Sequence, residues 1–275
     1  MVQIITDSST LFTEEEAKEM GVEVLPLCVN IGELEGRDLQ IDMEDFYARI
    51  EAGGIPKSSQ PPIGEVMDVY EKYPDAEIIN IAMADGLSGT YQTACGAKEM
   101  VDNKENITVI NSKTLCGPHR YMVQKAQQMK KAGHTAKEII AWLEKAKESH
   151  ESFLIPQDFA FLKRGGRLTP LAATFASTLK LKPIMTQVED GRRLDRYAIK
   201  RNMKQAVGAV IERLKKRGVD AKHIIYVSHA NAIEDAKKVR EMLAEHFAEV
   251  EIEMLELGAA FVTQGGPKCI AIQYI

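Results

Sequence analysis

Aromatic residues are scarce in this chain: eight Tyr, eight Phe and a single Trp make up 6% of 275 residues. Basic residues are not interleaved with aromatics, so a nucleic-acid surface that stacks bases on rings is not expected. Cysteine is scarce too. Cys28, Cys95, Cys116 and Cys269 are widely scattered and form no CxxC pair, which reads as four reduced thiols rather than a disulfide framework. No apolar run approaches the ~18 residues that cross a bilayer. Asp7 interrupts the apolar start and no basic stretch precedes it, so no secretory signal is read and a cytoplasmic location is expected. The six histidines (119, 134, 150, 223, 229 and 246) offer neither HExxH nor an i,i+4 pair, which argues against a metal site. Gly86-x-x-Gly89 lacks the dinucleotide spacing, no Gly-Lys-Ser/Thr follows it, and no G-x-S-x-G elbow occurs. Nothing supplies the paired acid and base of a self-sufficient enzyme.

What is present is a globular composition, 45% apolar and 27% charged, in a length that suits two domains. The net charge of −5 is unevenly spread. From Ala160 to Asp220 there are fifteen Lys/Arg against five Asp/Glu, an excess of +10 inside an acidic chain. Such a segment suits a phosphate, a carboxylate or an acidic partner; equally, it suits an internally compensated surface.

The hydrophobic pattern predicts an α/β protein. Short apolar strands are expected at Val2–Thr6, Val22–Val29, Glu77–Ala84 and Ile107–Ile110. Helices are expected after the capping box Thr13-x-x-Glu16, from Asp42 to Glu51, after Pro61-Pro62, from about Ser88 to Met100, and over Arg120–Ala132 and Thr135–His150. This alternation predicts a Rossmann-like, mainly parallel sheet with helices over residues 1–152. Past Ser152 the pattern changes. Lys182–Glu189 and Arg193–Ile199 flank the hairpin signal Asp190-Gly191. Helices at Met203–Arg217 and Glu234–Phe247 and strands at Ile224–Ser228, Glu249–Leu257 and Lys268–Ile275 follow. Residues 153–275 are therefore read as an α+β domain with antiparallel pairing.

The segment Ala84-Asp85-Gly86-Leu87-Ser88-Gly89-Thr90-Tyr91 follows an apolar strand and opens a helix, where free N–H groups and a serine hydroxyl suit an anion. Ser88 reads as a carboxylate or phosphate contact, or as a plain helix cap. Ser58-Ser59-Gln60 forms a second hydroxyl cluster before an expected helix, and the two helix starts could converge on one crevice. Leu162-Lys163-Arg164-Gly165-Gly166-Arg167-Leu168 joins two glycines to three cations, with Arg167 suited to an anion or a structural carboxylate. Gly265-Gly266-Pro267 reads as a rigid turn, and Asp7, at the end of the first strand, as a helix or turn cap or as a catalytic carboxylate.

Taken together, these segments resemble the DegV family, whose characterised members are bacterial fatty-acid-binding proteins. The resemblance runs over essentially the whole chain. It rests on Ile5-Thr6-Asp7-Ser8-Ser9, Ser58-Ser59-Gln60-Pro61, Leu87-Ser88-Gly89-Thr90-Tyr91-Gln92-Thr93-Ala94, and Leu162-x-x-Gly165-Gly166-Arg167-Leu168 followed by Leu181-Lys182-Pro183-Ile184. It implies a two-domain protein that encloses a long acyl chain between its parts. It places the carboxylate at Ser58 and Ser88, with Ser59, Gly89, Thr90 and Gly166 in the neighbouring motif positions and Arg201 after the hairpin. It implies no cofactor and no catalysis by the chain itself: the fatty acid is presented to a separate ATP-dependent kinase, which phosphorylates the carboxylate for phospholipid synthesis. The basic segment then becomes a candidate kinase-docking face. Two positions depart from the family pattern. Ser58 stands where a Thr is usual, and Gln264 stands where members often carry a His near the carboxylate, so the contact there keeps a hydrogen-bond donor but loses a titratable group.

Two other readings stay open on the residues alone: an enzyme acting on a small carboxylated or phosphorylated metabolite, and a lipid-responsive regulatory module. A monomer is the default expectation, and transient contact with a membrane is compatible with the lipid reading.

Overall fold

The computed structural model describes residues 1–174 and 181–275. Contacts divide it into two units, Met1–Ser149 and His150–Ile275. Lys180 of the basic segment lies outside the described residues.

The first unit contains strands β1 (Val2–Asp7), β2 (Glu23–Leu25), β3 (Cys28–Ile31), β4 (Leu34–Arg37), β5 (Lys57–Ser59), β6 (Glu77–Ala82) and β7 (Ile107–Asn111). Four of them form an all-parallel sheet in the order β2-β1-β6-β7. Apolar side chains at Ile4, Ile5, Ile78, Ile79 and Ile81 are fully buried, as strands covered on both faces require. The chain leaves β1 for β2 on one side and returns through β6 on the other. The carboxyl ends of β1 and β6 therefore form a topological switch point, the usual place for a ligand in such sheets.

The segment expected as one strand at Val22–Val29 is two. Pro26 lacks an N–H and cannot continue a ladder. Its two sides join different sheets: Ile5 to Asp7 pair with Glu23 to Leu25, while β3 pairs antiparallel with β4 and β5. The capping box is present as read, with Thr13 and Glu16 bonding each other's backbone N–H. The helix expected at Arg120–Ala132 begins earlier and spans Cys116–Lys131.

The second unit contains β8 (Glu151–Ile155), β9 (Lys182–Val188), β10 (Arg193–Lys200), β11 (Ile224–His229), β12 (Glu251–Glu256) and β13 (Ile270–Tyr274). They form one sheet in the order β10-β9-β8-β13-β11-β12. All pairs are antiparallel except β11 with β12. The chain is thus α/β, with a parallel sheet first and a mixed, mainly antiparallel sheet second. Helices Met203–Lys216 and Ile233–Ala244 cover one face, burying Val207, Val210, Leu214, Val239 and Leu243 against Phe153, Ile225, Val227 and Ile272. Each such side chain contributes about 1.5–3 kcal/mol when fully buried.

Candidate functional site

The Ser88 loop follows β6 and leads into the helix Thr90–Met100. Gly89 is its N-cap, so the helix starts two residues later than expected and Ser88 precedes the cap. The Ser88 hydroxyl is 2.8 Å from Thr90 Oγ1 and accepts from the Thr90 backbone N–H at 3.3 Å. When Thr90 also donates its hydroxyl, Ser88 keeps its own proton for an outside acceptor. Ser88 and Gly89 are half-buried, whereas Thr90 is buried. Burial raises the pKa of the next residue, Tyr91, helped by its contact with Cys95, so this phenol stays protonated.

Ser58 and Ser59 are not at a helix start, contrary to expectation. They lie on β5, with Ser58 opposite Val29 and Ser59 opposite Cys28. A residue before proline is held extended, so Gln60 and Pro61 delay the helix, which begins at Ile63 with Pro62 as its cap. Ser58 is half-buried and Ser59 exposed.

The two hydroxyl segments nevertheless meet. A Cβ placed on Gly89 would lie 3.1 Å from Gln60 Oε1 and 3.2 Å from Gln60 Cδ, so the Gln60 carboxamide rests on this glycine. The helices behind each segment explain the meeting. Ile63–Glu71 packs on Thr90–Met100, with Ile63 against Gly96. Tyr70, fully buried, donates its hydroxyl to Ala94 O (3.3 Å) and accepts from Asn80 Nδ2 on β6 (2.7 Å).

At the switch point itself the protein fills its own crevice. Asp7, 1% exposed, caps the turn Ser8–Thr10 by accepting from Ser9 N, and its other oxygen accepts from Met83 N, both at 2.9 Å. His119, on the helix Cys116–Lys131, sits 2.9 Å from Ile81 O through Nε2 and 2.7 Å from Ser9 Oγ through Nδ1. A carbonyl only accepts, so Nε2 carries the proton and Nδ1 accepts from Ser9. Burial lowers the His119 pKa, while the Asp7 carboxylate acts in the opposite direction. The Asp–His–Ser set has the residue types of a nucleophilic triad, but all three are enclosed and Asp7 bonds backbone amides rather than the imidazole. Asp7 is the cap that its position at a strand end suggested. Metal-ligand spacing among the histidines gives no hint of His119; its one signal is a His in the segment that leads from the strand at Ile107–Ile110 into the next helix.

In the second unit, β8, β10, β11 and β12 all run to the same edge of the sheet. Arg201 follows β10 there and is exposed, its backbone N–H donating to Gln205 Oε1 at 3.2 Å. Gln264, on the helix Ala259–Gly265 after β12, lies on Gly165, where a Cβ would overlap its Oε1. Gly166 caps the helix Phe159–Gly165 in the left-handed region (φ 71°), which favours glycine. Its carbonyl accepts from Arg193 Nη1 at 3.0 Å, and Leu194 N donates to Arg167 O at 2.9 Å. The structure thus joins Gln264 to the Gly165-Gly166 turn but not Arg201 to it: Leu194 lies near the start of β10 and Arg201 just past its end, roughly 20 Å along the strand. Arg167 donates to Gly165 O; burial and the neighbouring Arg193 lower its pKa.

Among the described residues, no three His, Cys, Asp or Glu side chains gather as metal ligands, and no helix is long and apolar enough to cross a membrane.

Known proteins resemble this chain over its full length. A family model described as "uncharacterised protein, DegV family" matches residues 1–275. The chain is 31% identical to the DegV protein of Bacillus subtilis over 98% of each sequence. Three solved structures are similar. A DegV from Bacillus subtilis, described as a fatty acid binding protein, is 30% identical, with a TM-score of 0.86 and coverage of 99% and 98% of the two chains. A DegV family protein from Thermus thermophilus, described by its fatty acid binding, is 25% identical, with a TM-score of 0.88 and the same coverage. A DegV family protein from Ruminococcus gnavus, refined with vaccenic acid, is 26% identical, with a TM-score of 0.87 and coverage of 99% of each chain.

Proposed function

This chain belongs to the DegV family, and from that membership we propose that it binds a long-chain fatty acid and presents the carboxylate to a separate ATP-dependent kinase. The observation that carries the reading is the meeting of the Ser58 and Ser88 segments through Gln60 and Gly89, in a chain whose full-length relatives are described as fatty-acid-binding.

The energetics suit such a ligand. Each buried CH₂ contributes ~0.8 kcal/mol, so a long chain supplies most of the affinity. A carboxylate taken from water costs several kcal/mol unless hydrogen-bonded. Ser88 and Ser58 are the groups proposed to meet that cost, with Ser59 and Thr90 alongside. In the second unit, Gln264 beside the glycine turn at Gly166, and Arg201 past the far end of β10, are candidate contacts at two separate places. In this reading the chain catalyses nothing and holds no cofactor. The acyl phosphate forms on the kinase's ATP and passes toward phospholipid synthesis. The exposed cations Arg193 and Arg196 of the basic segment are proposed to face the kinase. Pull-down of the kinase that weakens as salt rises from low to high is the expected result, since surface charge contacts are screened.

Binding is tested by native mass spectrometry. Protein stripped of lipid and then offered vaccenic or palmitic acid should take up one fatty acid per chain. A chain that carries none and takes up none would sink the reading.

A further inference from the structure

Gly89 presents a small puzzle of geometry. Its backbone (φ −73°, ψ 1°) is open to any L-amino acid. Nothing in its own conformation calls for glycine. What an added Cβ would meet is the carboxamide of the exposed Gln60, whose Oε1, Cδ and Nε2 would lie 3.1, 3.2 and 3.5 Å away, so that one of the two would have to give by a few tenths of an ångström. Gln60 in turn is delivered from a constrained backbone. It follows β5, whose register is set by Val29 and Cys28, and precedes Pro61, which is buried. The hydroxyls of Ser58 and Ser59 stand immediately before Gln60, and those of Ser88 and Thr90 on either side of Gly89.

We propose that Gln60 is a positioning residue: its carboxamide, seated on the bare Cα of Gly89, sets the separation between the Ser58 and Ser88 hydroxyls and so tunes the site to a two-oxygen head group. The proposal rests on the fatty-acid reading and deepens it, because it assigns head-group selectivity to a side chain that need not touch the ligand. A carboxylate offers two acceptors at fixed spacing, and hydroxyls held on separate segments can serve both only at one separation.

The test is a double-mutant cycle with Gln60→Ala, Gly89→Ala and the pair, read in two ways. The first compares affinity for a fatty acid with that for the alcohol of the same chain length. This ratio cancels the tail and isolates the head group, which a general loss of stability would not change. Each single variant should lower the acid-over-alcohol preference by about tenfold, the scale of one hydrogen bond lost. The double variant should recover most of it, since the methyl introduced by Gly89→Ala takes the space that the carboxamide vacates. The second readout needs no ligand. The Thr93 amide donates to Gly89 O at 2.9 Å in the first helical turn, so its hydrogen exchange reports the placement of the loop. It should quicken in Gly89→Ala and return toward the parent rate in the double variant. Unchanged preference in both single variants, or strictly additive effects on exchange, would overturn the role of Gln60. A parent protein that takes up no fatty acid would instead overturn the binding reading, leaving the exchange cycle to judge Gln60 by itself.

Discussion

Two groups of small hydroxyl residues lie at the carboxyl edge of the same parallel sheet, and they have opposite fates. Thr6, Ser8, Ser9 and Thr10, with Asp7 and His119, are all buried, and each makes a hydrogen bond inside the first unit. Ser88 and Thr90 bond chiefly one another, and Ser88 stays half-exposed. The residue types are the same and both groups follow a strand of the parallel sheet, Ser8 to Thr10 directly after β1 and Ser88 six residues past the end of β6. The difference is whether the donors and acceptors are closed upon themselves. A closed network rigidifies the switch point; a partly open pair leaves a proton for something else. Serine near a strand end is therefore no guide to binding until its partners are known.

The contrast can be broken or sharpened experimentally. Removing the Asp7 carboxylate by Asp7→Ala strands two buried N–H groups, at Ser9 and Met83. The expected loss is about 2–5 kcal/mol of unfolding free energy in urea, with fatty-acid affinity of the folded fraction unchanged. Asp7→Asn, which keeps one acceptor, should lose less. A marked loss of affinity in folded Asp7→Asn protein would place Asp7 in the binding group instead.

Next in size is a pH effect. His119 is buried and neutral, with a folded-state pKa below its ordinary value near 6.5. As pH falls below 6.5 the unfolded chain takes up a proton that the folded chain refuses, so stability is complete above that value and declines below it until the folded-state pKa is reached. His229 is shifted the same way by burial, against the pull of Glu256. The His119→Gln variant should therefore show a shallower decline between pH 6.5 and 5 rather than none. An unchanged slope would remove His119 from the closed network.

Ser9→Ala takes away the donor to His119 Nδ1 and should cost about 1 kcal/mol, again without effect on ligand. Ser88→Ala completes the series with the smallest effect on stability, within about 0.5 kcal/mol in thermal unfolding. Its effect on fatty-acid affinity should be the largest of the set, about tenfold. If Ser88→Ala destabilised the protein as much as Asp7→Ala and left affinity alone, the two groups would not differ as described.

Much of this was legible in the sequence. The capping box at Thr13 and Glu16 is local, and a pattern of four residues specifies it. The strand alternation, the Asp190-Gly191 hairpin and the change of pattern after Ser152 are local as well, and so is Asp7 as a cap. Other features were not legible because they depend on partners far along the chain. Ser58 looked like a helix-start hydroxyl because prolines follow it, but pairing with Val29 of β3, a strand whose hairpin with β4 the sequence did not announce, drew it into a strand. Gly165 was read as one of two glycines beside three cations, yet what it meets is the Gln264 side chain, whose Oε1 an added Cβ would overlap. His119 carried no motif at all; its meaning lies in Ser9 and Ile81, each on a different element.

The amino-acid sequence by itself determined the class of fold, the two-part organisation of its pattern and the family, because periodicity, caps and short motifs act over a few residues and need no partner. Only the tertiary structure decided which hydroxyls are closed in networks and which are open, and which glycines have another side chain resting on them. Those are matters of distance between segments that the chain brings together late, and in a packed interior a few tenths of an ångström separate a contact from a clash.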